Sequence, residues 1–146
     1  MKKLLMIFSL TALTVAAQAQ QPNNISKDQL AAQGYDVVAY FQDKVVEGSE
    51  RLTSEYMGAR YLFSSAENKE VFEGNPAKYA PQYGGWCAYA MGKNGKLVKV
   101  NPEAFKILDD KLYLFYKTKK VNTLTLWNED ENALKQQADK NWQSKS

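Results

Sequence analysis

Histidine is absent from the 146 residues, and cysteine occurs once, as Cys87. Without an imidazole there is no Ser-His-Asp or Cys-His nucleophile pair, no His-ligated zinc and no proximal-His haem. A single cysteine excludes an intramolecular disulfide and any Cys-x-x-Cys redox or zinc motif. An excess of one charge is missing too. Lys+Arg number 19 against Asp+Glu 16, and Lys2 and Lys3 lie in a segment expected to be removed, which leaves 17 minus 16, or +1. A nucleic-acid partner calls for a concentrated basic surface that displaces counterions, so no nucleic acid is expected. Long apolar runs are lacking after the first segment, so no transmembrane segment is expected in the mature chain. What remains, 45% hydrophobic and 24% charged residues, suits one globular domain that folds without disulfide or metal.

The first segment reads as an address. Lys2 and Lys3 precede a 14-residue apolar stretch, residues 4–17, and Ala17-Gln18-Ala19 offers small residues for signal peptidase. This is the pattern of a secretory signal peptide, and its short basic start suits a bacterial preprotein. The expected location is periplasmic or extracellular after cleavage near Ala19. Cys87 lies far from that point, which excludes a lipid-modified N-terminal cysteine.

Along the rest, residues 20–27 are polar and predict a flexible leader, with one domain over residues 28–142 and a tail at 143–146. Residues 35–41 form a compact aromatic and branched run suited to a buried extended or turn segment. Residues 51–56 and 59–64 flank Met57-Gly58 and predict a β-hairpin; residues 106–108 and 111–116 flank Asp109-Asp110 and predict a second. Ser64 or Ser65 predicts the N-cap of a short helix ended by Gly74-Asn75-Pro76, and residues 78–82 a further short turn. Gly84-Gly85 opens another short helix over residues 86–91. Asn128 with Glu131 three residues on predicts the start of one C-terminal amphipathic helix carrying Leu134, Ala138 and Trp142 on one face, with Trp127 and Trp142 as its anchors. Tyr61-Leu62-Phe63 and Tyr113-Leu114-Phe115 are the same tripeptide, but their neighbours differ, so no internal repeat is expected. The fold class is α+β: two antiparallel β-hairpins packed with short helices and a C-terminal amphipathic helix.

Several motifs carry a family resemblance: Gly34-Tyr35-Asp36, Ala39-Tyr40-Phe41, Tyr56, Gly58, Tyr61, Phe63, Ser65, Glu67-Asn68-Lys69, Phe72 and Asn75-Pro76. Lys78-Tyr79-Ala80-Pro81-Gln82-Tyr83-Gly84-Gly85, Cys87-Ala88, Pro102, Lys111-Leu112-Tyr113-Leu114 and Tyr116 continue it. Residues 34–116 thus resemble the YHS-domain family, in its longer, exported, single-domain form. Resemblance to its compact members, found in copper-transporting ATPases, implies metal, copper among the candidates, held through cysteines that follow the aromatic strand. Ser64 and Ser65 stand at that place here, so Cys87 is the only thiol.

Cys87 is the centre of the chemical candidates. In the first turn of a helix after Gly84-Gly85, its thiol would meet unpaired amides and the dipole that favour thiolate. Met91, four residues on, shares its face, and a thiolate with a thioether suits a soft metal such as copper as Cu(I). The plainer reading makes both residues core packing. A second candidate is a ligand pocket built from Tyr35, Asp36, Tyr40, Tyr83, Trp86 and Tyr89, against the plainer reading of tyrosines satisfied within a core. Asp36 could instead cap a turn, and Glu67, Glu70 and Glu73 form a solvated stripe. No catalytic residue is assigned. The resulting expectation is a non-enzymatic, exported binding module for a metal ion or small molecule. Its alternatives are a thiol-based redox protein or enzyme using Cys87, and an envelope interaction module in which Cys87 is inert.

Overall fold

The computed structural model describes residues 20–146; the proposed signal peptide, residues 1–19, lies outside the described residues. Both hairpins form, each as its own two-stranded antiparallel sheet: β1 (Ser49–Tyr56) with β2 (Ala59–Phe63), and β3 (Asn101–Leu108) with β4 (Lys111–Phe115). The two-residue connections have positive φ throughout, 47° and 77° at Met57 and Gly58, 49° and 60° at Asp109 and Asp110. Turns of that hand match the twist of the strands they join. Five α-helices complete the described residues: α1 (Ala66–Gly74), α2 (Pro76–Tyr79), α3 (Ala88–Asn94), α4 (Thr123–Glu129) and α5 (Glu131–Gln143). The architecture is α+β.

The hairpins repeat one another. In the first, Ser49 faces Phe63, the register then shifts, and Thr53 faces Leu62; in the second, Asn101 faces Phe115, and Phe105 faces Leu114 after the same shift. Every partner is displaced by 52 residues (49 to 101, 63 to 115). The likeness reaches upstream at an offset of 51 or 52. Ala32, Gln33 and Gly34 have φ of 47°, 54° and 84°, and Tyr83, Gly84 and Gly85 have 56°, 59° and 82°. Asp36 N–H donates to the Val46 carbonyl, and Cys87 N–H to that of Val98, both at 2.9 Å. A short helix follows each time, a 3-10 turn at Ala39–Gln42 and then α3, each closed by a residue with positive φ, Asp43 and Gly95. The repeat was not expected from sequence: Tyr61-Leu62-Phe63 and Tyr113-Leu114-Phe115 hold equivalent places in β2 and β4, but most of the flanking residues that share the backbone geometry differ.

Three further expectations are corrected. The C-terminal amphipathic helix forms as α5, but its N-cap is Asp130, at φ −147° and ψ 49°, not Asn128, and an unexpected helix α4 precedes it, capped by Asn122, which accepts from the Leu124 N–H. The break at Asp130 lets Trp127 enter the core while α5 turns to pack on α3. Gly92 makes this approach possible, since a Cβ there would lie 2.5 Å from the Leu134 carbonyl oxygen. Gly84-Gly85 belongs to a separate 3-10 turn (Gln82–Gly85), and α3 begins only at Ala88. The expected flexible leader is fastened at its start. Asn24 N–H donates to the Gly84 carbonyl at 2.8 Å, Trp86 Nε1 to Pro22 at 2.8 Å, and Gln21 Nε2 to Trp142 at 2.7 Å.

Two buried clusters form, and the first draws on both halves, since Cys87, Val100, Leu112 and Leu114 pack in it with Phe63 and Phe72. In the first, Phe72 of α1 lies against Tyr61 and Phe63 of β2, with ring centroids 4.6 Å and 5.1 Å apart. In the second, Trp127 of α4 lies against Tyr113 and Phe115 of β4 at 5.8 Å and 5.6 Å.

Candidate functional site

The run over residues 35–41 buries Asp36 completely. Its Oδ1 accepts the N–H groups of Val38 and Ala39, which caps the 3-10 turn that follows. Its Oδ2 accepts the Ser64 N–H at 2.8 Å, the Ser64 hydroxyl at 2.6 Å and Asn68 Nδ2 at 2.8 Å. Five donors occupy a group with about four lone-pair sites. Asp36 therefore ties the entry loop to the end of β2 and to α1, and has no acceptor capacity left for a cation. Ser65 caps α1 through the Asn68 N–H at 3.1 Å, which fixes Asn68 where its amide reaches Asp36. Ser64 and Ser65 stand where the family resemblance would place metal-binding cysteines, and these hydroxyls are hard donors already engaged. The residues present do not fit a soft metal there. Glu67, Glu70 and Glu73 are exposed.

Cys87 occupies the place in the second half that Asp36 occupies in the first. It is fully buried and is the N-cap residue of α3, one position before the expected first turn. Its Sγ accepts the Tyr116 N–H at 3.3 Å, the counterpart of the Ser64 N–H, and lies 3.4 Å from Thr123 Oγ1. The sulfur thus performs the carboxylate's linking task with a weaker acceptor. Met91 is fully buried too, but packs in the second core while Cys87 packs in the first. Cys87 and Met91, expected on one helix face, are thus two buried sulfur side chains that pack in different cores. Among the described residues, no three Cys, Asp or Glu side chains gather to hold a metal ion.

The proposed aromatic pocket is likewise dispersed. Tyr40 is buried in the first core and donates to the Pro102 carbonyl at 2.7 Å; burial, and then Tyr35 nearby, push its hydroxyl pKa well up. Tyr83 is buried in the second core and donates to Asp139 at 2.8 Å, and burial followed by that carboxylate raises its pKa further. Tyr35 packs against the first core, Tyr89 touches both, and Trp86 is held by the leader. Of the six proposed residues, Tyr83 borders a cleft at the leader's end of the fold.

That cleft, about 190 Å³, opens where the leader, the first hairpin's turn, the 3-10 turn and α5 converge. Gln21, Asn23, Tyr56, Gln82, Tyr83 and Trp142 line it, and none of its lining side chains is charged. Gly84 forms part of its wall because its φ of 59° and its neighbours leave no room: a Cβ would meet Trp142 at 2.9 Å and the Pro22 carbonyl oxygen at 3.0 Å. Sequence reasoning missed all but Tyr83, since these residues are scattered from position 21 to 142 and nothing in their spacing links them. The linking roles of Ser64 and Asn68 were missed as well. A legible signal for the paired hubs was the recurrence of glycine, aromatic and small acceptor in Gly34-Tyr35-Asp36 and Gly85-Trp86-Cys87.

Among the described residues no helix is long and apolar enough to cross a membrane. No curated protein and no solved structure matches the chain. The YHS domain family matches residues 39–83, which hold the first hairpin, α1 and the aromatic run leading to the cleft, so the chain carries a YHS domain.

Proposed function

We propose that the protein is an exported, non-enzymatic binding module whose cleft takes a small, neutral, hydroxyl-rich ligand such as a saccharide. The observation that carries this reading is the lining of the cleft. Carboxamides of Gln21, Asn23 and Gln82 stand beside the rings of Tyr56, Tyr83 and Trp142, with no charged side chain among them. Gln21 and Asn23 each donate one amino N–H, to the Trp142 and Met57 carbonyls, which orients the two amides and leaves their oxygens as acceptors for ligand hydroxyls. Rings pack against the apolar faces of such a ligand while amides fix its orientation. Soft-metal binding at Cys87 and Met91 is the competing version, and it needs both cores to open.

Titration of neutral mono- and disaccharides, followed by tryptophan fluorescence and melting temperature, tests the reading. At least one should raise the melting temperature and perturb the indole signal, and Trp142→Ala should lose that response while still unfolding cooperatively. No response to any neutral saccharide overturns it. Stoichiometric Cu(I) uptake lost in Cys87→Ser overturns it in favour of the metal version. Export rests on residues 1–19; an intact mass of released protein that still includes Lys2 and Lys3 would refute it.

A further inference from the structure

Two segments are tied to Cys87. Its N–H donates to the Val98 carbonyl at 2.9 Å, and its Sγ accepts from Tyr116 N–H at 3.3 Å. Residues 93–101 and 116–122 are thereby held together. They contain Lys93, Lys96, Lys99, Lys117, Lys119 and Lys120 and no acid. In a chain whose expected mature balance is only +1, this is a strong local concentration of charge. Among the described residues none of the six is in an ion pair. The same two segments expose Leu97 (41%), Tyr116 (38%) and Val121 (43%), three of the seven large hydrophobic side chains exposed among the described residues. The corresponding stretch of the first half differs: where it has Asp43 and Glu47, the second half has Gly95 and Lys99.

We propose that these two segments form a face that docks on an anionic lipid bilayer. A surface with cations around exposed apolar side chains suits an interface that is charged at its boundary and apolar beneath. Lysine stems lie along apolar surface while their ammonium groups reach the headgroups, and tyrosine is at home at that depth. All six cations are lysine; arginine, whose planar fork pairs with individual carboxylates on an acidic protein, is absent. Diffuse attraction to a charged plane needs only point charges. The proposal is independent of the cleft and of its ligand.

Co-sedimentation of the full chain with vesicles of phosphatidylglycerol and phosphatidylethanolamine, and with vesicles of phosphatidylcholine alone, tests it. Parent and variants share the same N-terminal segment, so the difference between them reports on the patch. Binding should favour the anionic vesicles and weaken at high salt. Lys96→Gln, Lys119→Gln and Lys120→Gln together should lower partitioning about a hundredfold, at roughly fivefold for each lysine near the surface. These side chains are exposed, and an unchanged melting temperature checks that the fold is kept. Leu97→Ser with Val121→Ser should weaken binding at unaltered charge. Equal binding to both vesicle types, or equal binding by parent and triple lysine variant, overturns the proposal. Binding to polyglutamate without binding to anionic vesicles also overturns it, in favour of an acidic protein partner.

Discussion

Asp36 and Cys87 stand at equivalent points of two backbone units that agree in hairpin register, in turn geometry and in the N–H bond each donates to the Val46 or Val98 carbonyl, which fixes the loop. The first unit closes around a carboxylate saturated by five donors, the second around a sulfur with two polar neighbours. The geometry thus asks for an acceptor after the glycine-aromatic pair and accepts either chemistry. Where the first half relies on charge-assisted hydrogen bonds, the second gains a larger anchor, Trp127 in place of Phe72. A lone cysteine in this position is explained by its connections, without appeal to reactivity.

The comparison breaks most readily at the anchors. Trp127→Ala and Phe72→Ala each empty the centre of a core, and each should cost about 3–5 kcal/mol in denaturant unfolding. If the halves are one cooperative unit, both variants should unfold in a single transition followed identically by tryptophan fluorescence and far-ultraviolet circular dichroism. Two separated transitions in either variant would show that the units fold independently.

Exchanging the hubs sharpens the contrast. Asp36→Asn puts an amino group among donors and leaves Ser64 or Asn68 unsatisfied in a buried place, so a loss of about 2–4 kcal/mol is expected. Cys87→Ala removes a weak acceptor and a small volume, for about 1–2 kcal/mol. Equal losses would mean that the sulfur carries as much as the carboxylate. Cys87 should also react slowly with thiol reagents in the folded protein, at a rate that follows unfolding.

How much was legible follows from the same contrast. Hairpins were legible because their signals are local: Tyr61 and Phe63 alternate, and Met57-Gly58 and Asp109-Asp110 tolerate positive φ. The Ser65 cap was legible for the same reason. The cap at Asp130 and the separate helix α4 were not, because Asn128 with Glu131 three residues on offers an equally good local start, and burial of Trp127 is decided by distant residues of β4. Leader docking depends on carbonyls of Gly84, Gly85 and Trp142 presented by distant turns, which no spacing announces. Cys87 was correctly singled out, yet its neighbours across the fold, Tyr116 and Thr123, decide what it does.

The smallest expected effect lies at the start of α5, where the second half does use charge. Glu131 accepts from Lys106 Nζ and from Trp127 Nε1, the latter at 2.9 Å. The hydrogen bond from Lys106, and then that from Trp127, hold its carboxyl below the ordinary value of 4.5 despite partial desolvation. A carboxyl whose folded pKa is depressed contributes stability that is present above its unfolded value and is lost as pH falls through the folded one. The contribution should therefore be intact above about pH 4.5 and disappear below it. Both partners are partly exposed, so it should amount to about 0.5–1 kcal/mol and shrink with salt. Urea unfolding of parent and Glu131→Gln across the acid range should show curves that converge as pH falls below 4.5 and separate above it. Lys106→Gln should reproduce most of that separation, since the lysine is the first cause of the shift. A constant gap at all pH values would assign the effect to packing, since the bonds from Lys106 and Trp127 both favour the carboxylate, and this corner of the second half would then be held, unlike Asp36, without a contribution from charge.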